Sequence, residues 1–399
     1  ATDGTNAVTA ASAFTLAFAY DWTTTTQQQK IVASDAEASD VFGYSVGIDG
    51  ETIVTGAYGE AAGGSYAGAA YIFTRSGTTW SQQQKLTASD ATQADYFGIG
   101  SAISGDTVIV GAHQESAGGT GAGAAYIFTR SGTTWSQQQK LVASDPQTGD
   151  NLGVEVDIDG DTAVANAYNE DAGGTNAGAA YVFTRSGTTW TQQQKLTASD
   201  AAASDRFGYG ISINGDTTVV GCLGGEAAYI FTRSGTTWTQ QQILTGSDAQ
   251  AGDMFGCSVG ISGDTVVVGA YEEDTVGSNA GAAYIFTRSG TTWTQQQKIQ
   301  ASDAQADDYF GYNVAIDGDT VVVGAYKEDA GGSSAGAAYI FTRSGTTWTQ
   351  DKKIVASDAQ ASDWFGFRVG IEDDTVVVGG PNEDTEGSNA GAVYTFLAG

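Results

Sequence analysis

Short runs of alternating apolar and polar residues dominate the chain. Tyr312-Asn313-Val314-Ala315-Ile316 alternates, a tight Asp317-Gly318-Asp319 turn follows, and Thr320-Val321-Val322-Val323-Gly324 resumes as a β-branched run. After an acidic, Gly-rich loop from Tyr326 to Gly336 come Ala338-Tyr339-Ile340-Phe341-Thr342, then Ser344-Gly345, then Trp348 and a polar run. Runs of this composition bounded by Gly, Asp and Ser read as strands, and Asp-Gly between two of them signals a hairpin. No helical 3.6-residue period of useful length competes with that reading. The pattern predicts a unit of four antiparallel strands, named A to D.

The unit recurs. Phe-Gly falls at Phe42-Gly43, Phe97-Gly98, Phe207-Gly208, Phe255-Gly256, Phe310-Gly311 and Phe365-Gly366, with Leu152-Gly153 in the one missing place. The spacing is 55 residues except between Phe207 and Phe255, where 48 residues show that a loop has been cut out. Four strands of this size bury too little to be stable alone, and stacked repeats share a core. The last unit stops at its strand C, Ala392 to Phe396, while an isolated strand D, Trp22 to Ala33, stands at the other end of the chain. Complementary partial units predict a closed ring: an all-β, seven-bladed β-propeller, its last blade completed by the N-terminal strand over about 22–33. One propeller domain is expected over 14–399, with residues 1–13 a loosely held lead. An open β-solenoid is the alternative, and the unmatched ends argue against it.

TRSGTTW, repeated at Thr74, Thr129, Thr184, Thr232, Thr287 and Thr342, is then the C-to-D turn and the start of each outer strand. Its Trp is expected to pack between blades, since large aromatics carry much of the burial. The Arg of this turn and the Asp of the A-to-B turn share a face and are expected to pair locally.

Composition narrows the function. With 46 acidic and 16 basic residues the net charge is −30, which argues against nucleic acid as a partner. No apolar run approaches the roughly 20 residues of a spanning helix, so direct membrane insertion is not expected. The sole methionine is Met254, so Ala1 does not follow an initiator codon; a processed, secreted or surface-displayed chain fits best. Cys222 and Cys257 fall on one face of neighbouring blades, where either a disulfide or two small buried hydrophobes would fit.

The register of Phe-Gly with Gly56-Ala57-Tyr58, Gly269-Ala270-Tyr271, Gly324-Ala325-Tyr326 and Gly379-Gly380-Pro381 resembles the FG-GAP repeat family, the propeller type of integrin α subunits and of many bacterial and algal surface proteins. The resemblance spans nearly the whole chain and implies the propeller fold and an extracellular setting; it does not specify a function. It also implies a calcium loop of alternating Asp between strands A and B. This chain departs there: most units have only a turn such as Ser262-Gly263-Asp264, and Asp157-Ile158-Asp159-Gly160-Asp161 is the nearest approach.

Chemistry is expected on the face shared by the D-to-A and B-to-C loops. The first set gives Asp35 and Asp40, Asp90 and Asp95, Asp145 and Asp150, Asp200 and Asp205, Asp248 and Asp253, Asp303 and Asp308, Asp358 and Asp363. Hard oxygens in loops suit Ca²⁺, whereas Asp that hydrogen-bonds its own turn gives the same pattern without a metal. Tyr58, His113, Tyr168, Tyr271 and Tyr326, with Glu272 and Glu328, are the candidate ligand-binding residues. With one histidine and no Cys–His grouping, triads and zinc sites are excluded, so a non-enzymatic role is expected. The first expectation is an extracellular adhesion or recognition module that binds a protein or glycan. The alternatives are a glycan-binding lectin and a building block that self-assembles through its Gln-rich outer strands.

Overall fold

The computed structural model describes residues 20–399; the lead at 1–13 and the start of the apolar run at Phe14 lie outside the described residues. The described residues form seven four-stranded antiparallel sheets. In blade one, strand A is Ser45–Asp49, B is Thr52–Ala57, C is Ala69–Ser76 and D is Thr79–Leu86. Blades two to six repeat this order. Each strand A neighbours the next, and that of blade seven, Arg368–Glu372, lies beside that of blade one, so the ring closes around a channel lined by the A strands. The fourth strand of blade seven is Thr26–Ile31, with Lys30 opposite Tyr394 and Ile31 opposite Val393. The strand is shorter than 22–33, but Trp22 is fully buried and belongs to the last blade's core.

Strands B read as continuous apolar runs because every residue in them is buried, covered by a blade on each side. The core therefore lies between sheets. Val322 and Ile340 of blade six pack in one cluster with Val369, Val376 and Tyr394 of blade seven. The Phe of each Phe-Gly is fully buried and meets two strand C aromatics edge-on; Phe42 stands 5.5 Å from Tyr71 and 5.9 Å from Phe73.

The two glycine landmarks meet across the blade boundary. A Cβ on Gly324 would stand 2.0 Å from the carbonyl oxygen of Gly366 in the next blade, and one on Gly111 would stand 1.7 Å from that of Gly153. Backbone touches backbone here, so a side chain has nowhere to go. Blade three has Asn166 at this position and solves the problem differently. Asn166 Nδ2 donates to the Gly208 carbonyl at 2.9 Å, and its Oδ1 accepts from the Glu155 N–H at 2.9 Å.

The Gln-Gln-Gln run is a second inter-blade device. A β-bulge in strand D puts Gln82 opposite Phe73 and Gln84 opposite Ile72, leaving Gln83 as the extra residue. Gln82 Oε1 accepts from the Ser34 N–H on the preceding side. Gln83 Oε1 accepts from Trp135 Nε1–H in the following blade at 2.9 Å. Gln84 accepts from the Trp135 N–H at 2.8 Å and donates to its carbonyl at 2.7 Å. The Trp is thus an inter-blade packing residue, as expected, and the glutamine side chains are engaged within the ring. At the seam between blades six and seven, Lys352 donates to the Thr23 carbonyl instead.

The Arg of each C-to-D turn ties three elements. Arg130 pairs with Asp106 of its own blade, donates to Thr52 Oγ1 of the preceding blade at 3.1 Å, and lies 5.2 Å from the Trp135 ring. The expected local Arg–Asp pairing holds in blades two to six. In blade one, Arg75 instead crosses to Asp374 of blade seven at 3.2 Å. Blade one has Glu51 where those blades have Asp.

Candidate functional site

The D-to-A and B-to-C loops share one face of the ring, and the fold assigns their carboxylates distinct jobs. The second Asp of each D-to-A loop accepts from a backbone N–H three residues earlier: Asp40 from Glu37, Asp95 from Thr92, Asp150 from Gln147, Asp205 from Ala202, Asp253 from Gln250, Asp308 from Gln305 and Asp363 from Gln360. These close their own turns. Burial pushes Asp308 and Asp363 up to about 6, helped by the nearby Glu328 and Glu383. The first Asp of each loop binds outward. Asp90, Asp145, Asp248, Asp303 and Asp358 each accept from a strand C tyrosine hydroxyl and from a strand D lysine. Asp35 pairs with Lys85, and Asp200 accepts from Tyr229. Burial works against the charge on Asp145, but hydrogen bonds from Lys195 and Tyr181 outweigh it and hold the carboxyl below its ordinary value.

The same lysine reaches a buried loop glutamate. Lys195 lies 2.8 Å from Glu170, Lys353 lies 2.8 Å from Glu328, and the pattern recurs with Glu60, Glu115, Glu273 and Glu383. Glu328, a candidate ligand contact, is a buried acid engaged by Lys353. Blade four lacks the full loop, and Ile243 replaces its lysine. Glu226, in that cut-down loop, accepts from the Gly252 and Phe255 N–H groups. Among the described residues no three His, Cys, Asp or Glu side chains cluster as a metal set. The second Asp of each loop has the turn-closing geometry, and the first is held by tyrosine and lysine donors.

The two cysteines are free, buried thiols, the second of the two expected arrangements and not the disulfide. Cys222 Sγ donates to the Asp205 carbonyl within its own blade, and Cys257 Sγ donates to the Gly311 carbonyl in the next. Burial pushes both thiols up to about 12.

The tyrosine position after strand B borders the channel mouth. Tyr58 packs on Tyr44 at 4.6 Å and on Tyr96 at 5.7 Å. Tyr271 and Tyr326 both pack on Tyr312 and on Tyr309, and Tyr326 also meets Trp364 at 5.4 Å. Tyr168 packs on Tyr209. His113 stacks beside Tyr96 at 5.2 Å; burial pushes its pKa down to about 4, so it is neutral and behaves as one more ring of the belt. Burial pushes the phenols of Tyr58 and Tyr326 up to about 12, so both are neutral donors. Tyr326 is buried, whereas Tyr58, Tyr168, Tyr271 and Glu272 are half-buried. Lys327, beside the belt, holds its ammonium 3.9 Å from the Tyr309 ring centre.

Below the belt lies a channel cavity of about 380 Å³. It is spanned by an ion pair between opposite blades: Arg368 of blade seven lies 2.6 Å from Glu155 of blade three. Both side chains are half-buried, at 16% and 28% exposure. Burial pushes the Glu155 carboxyl up, and Arg368 opposes that shift. Arg368 also stacks on Phe367 at 5.2 Å and lies near Tyr44. Asn166 takes part indirectly, because its hydrogen bond to the Glu155 N–H fixes the segment carrying Glu155.

Sequence reasoning missed half of this belt. Tyr96, Tyr309 and Trp364 precede Phe-Gly and adopt left-handed backbone, with φ of 56°, 59° and 59°. Tyr44, Tyr312, Phe367 and Glu155 stand immediately before strand A, Arg368 is its first residue and Tyr209 its third. The signal was present as repeat columns in which the seven units disagree.

A closed ring of seven four-stranded blades whose Phe-Gly and Gly-Ala landmarks meet between blades defines the FG-GAP type of β-propeller. The FG-GAP repeat model matches residues 25–73, 80–128, 135–183, 190–231, 238–286, 293–341 and 348–396, so the chain belongs to the FG-GAP repeat family. No curated protein matches it. Among solved structures it is similar to Sqt1 of Saccharomyces cerevisiae, with 9% identity, a TM-score of 0.49, and coverage of 91% of this chain and 97% of that one.

Proposed function

We propose that this propeller is a non-enzymatic recognition module of the extracellular or cell-surface space, and that it binds its protein or glycan ligand at the aromatic mouth of the channel. The observation that carries this is where the repeats diverge. At the position before Phe-Gly, which supplies the belt, they have Val41, Tyr96, Asn151, Arg206, Met254, Tyr309 and Trp364, and at the channel position three residues after that Phe they have Ser45, Gly100, Glu155, Gly210, Ser258, Asn313 and Arg368. The residues that join blades stay nearly uniform. A ring whose frame is copied and whose mouth is individual has one place suited to a specific ligand. Aromatic faces with a few directed polar groups are what such sites use. The acidic D-to-A loops serve as scaffold for that mouth, with their side chains committed to turns and lysines.

The test is retention of labelled protein on glycan arrays and on immobilised extracellular-matrix proteins. The parent chain should bind a defined subset, and Tyr58→Ala combined with Lys327→Ala should lose it while melting like the parent. Equal binding by the variant would move the site elsewhere. Growth of filaments or sheets by the parent without ligand would favour the building-block role.

A further inference from the structure

The opposite face carries a feature that packing does not require. Six C-to-D hairpin tips carry the same Ser-Gly-Thr-Thr, at Ser76–Thr79, Ser131–Thr134, Ser186–Thr189, Ser234–Thr237, Ser289–Thr292 and Ser344–Thr347, and every one of these residues is exposed. The glycine is explained by the turn: Gly77 has φ of 63°. The neighbouring Arg and Trp are explained by the inter-blade ties. The Ser and Thr hydroxyls are not, because none of them forms a side-chain hydrogen bond among the described residues. A Cβ added at any of the six tip glycines would meet nothing within 4 Å, so the tips stand clear of the body.

Common duplication does not account for this uniformity. The D-to-A loops are equally exposed and have shared the same duplications, yet one of their positions runs Glu37, Thr92, Gln147, Ala202, Gln250, Gln305, Gln360. At the tips, the residue after Trp has changed, but one hydroxyl has replaced another: Ser81 and Ser136 against Thr191, Thr239, Thr294 and Thr349. The seventh tip is written differently because no hairpin joins strand C, Ala392–Leu397, to strand D, Thr26–Ile31. It still presents exposed Thr23, Thr24 and Thr26. Hydroxyl chemistry has been kept where sequence identity was not available to keep it.

We propose that these tips are acceptor sites for O-linked glycosylation. In the transfer, a Ser or Thr Oγ forms a bond to the anomeric carbon of a sugar. The bond from that carbon to its nucleotide- or lipid-linked diphosphate leaving group breaks, and the hydroxyl proton passes to a base of the transferase. A neutral sugar fits the surroundings better than a phosphate does. The turn-face carboxylates Asp106, Asp161, Asp264 and Asp319 are 64–70% exposed beside the tips. Each phosphate would add about −1.5 to −2 to a chain already at −30. Glycans here would cover the turn face and leave the aromatic mouth, on the other face, open.

The experiment is peptide mapping of protein purified from the organism that makes it. Trypsin cleavage after Arg75 and Lys85 releases Ser76–Lys85, and blades two, three, five and six yield equivalent peptides; in blade four, where Ile243 stands in place of the lysine, the tip lies in Ser234–Arg288 and fragmentation must separate it from the loop. Mass spectrometry with fragmentation that preserves the linkage should place sugar mass on the tip Thr or Ser, with the D-to-A loop peptides bare. Mild base-catalysed elimination should remove the added mass. Tip peptides recovered unmodified, or carrying phosphate mass, would overturn the assignment.

Discussion

Lys195→Ile tests whether the lysine–glutamate pairs hold the loop face together. Lys195 Nζ lies 2.8 Å from both Glu170 and Asp145, but the two arms are unequal. Asp145 has a side chain 48% exposed, and pairs of that kind contribute about 0–1 kcal/mol. Glu170 is 0% exposed. Its Oε1 also accepts from the Ala172 N–H, and its Oε2 has no partner. Removing one member of a buried pair leaves an uncompensated charge, at a cost of about 3–5 kcal/mol. Lys195→Ile should therefore destabilise the propeller by about 3–5 kcal/mol, nearly all of it through Glu170. Adding Glu170→Gln removes the stranded charge and keeps an acceptor for Ala172, so the double variant should regain more than half of the loss. Blade four already shows Ile243 in place where the loop has been shortened. The assay is urea unfolding followed by circular dichroism at pH 7. A single variant within 1 kcal/mol of the parent, or a double variant no better than the single, would refute the reasoning.

Three further outcomes are expected. Asp308 and Asp363 have folded-state values raised to about 6, so the folded chain holds their protons more tightly than the unfolded chain; their penalty is present in full above pH 6 and is relieved as pH falls. Melting temperature should accordingly rise from pH 7.5 to about pH 5, and a monotonic fall over that range would contradict it. Gly324→Ala forces a Cβ to 2.0 Å from the Gly366 carbonyl and should cost about 1–3 kcal/mol or more, whereas Asn166→Ala should lose a comparable amount for the opposite reason, two stranded backbone groups; paired denaturation curves decide both. Calcium and EDTA should leave the melting temperature unchanged, since the D-to-A aspartates close turns and hold lysines; a calorimetric binding heat with a calcium-dependent rise would restore the metal reading.

The fold was legible because its determinants are local and repeated. Alternation gave the strands, Asp-Gly and Ser-Gly gave the turns, and the unmatched chain ends gave the closure later found between Thr26–Ile31 and Ala392–Leu397. What the Gln run does was not legible, because it depends on a bulge that turns Gln83 toward a Trp in the next blade. The Arg368–Glu155 pair was hidden for a different reason. Its members lie 213 positions apart and meet only because a seven-membered ring sets blades three and seven across one channel. The cysteines fell on the right face of adjacent blades, yet sequence could not show that their side chains turn to different carbonyls.

Repetition also separates frame from function within this chain. A residue that joins one blade to the next meets the same neighbour around the ring, so Trp, Arg and the Gln run keep one solution except at the seam, where Arg75 and Gln350-Asp351-Lys352 depart from it. A channel residue meets a different partner in each blade, because the opposite side of the ring is a different repeat. Asn166 shows how a departure is accommodated: it replaces a glycine contact by a hydrogen bond, and the same side chain fixes the segment carrying Glu155. Three singular residues, Asn166, Glu155 and Arg368, thus form one connected device across the channel. If the device matters for the mouth, Arg368→Met should alter ligand retention at the aromatic belt although Arg368 lies beneath it, and Glu155→Gln should do the same while leaving the blade contacts intact. Retention unchanged in both variants, at parental melting temperature, would reduce the pair to a plug of the channel.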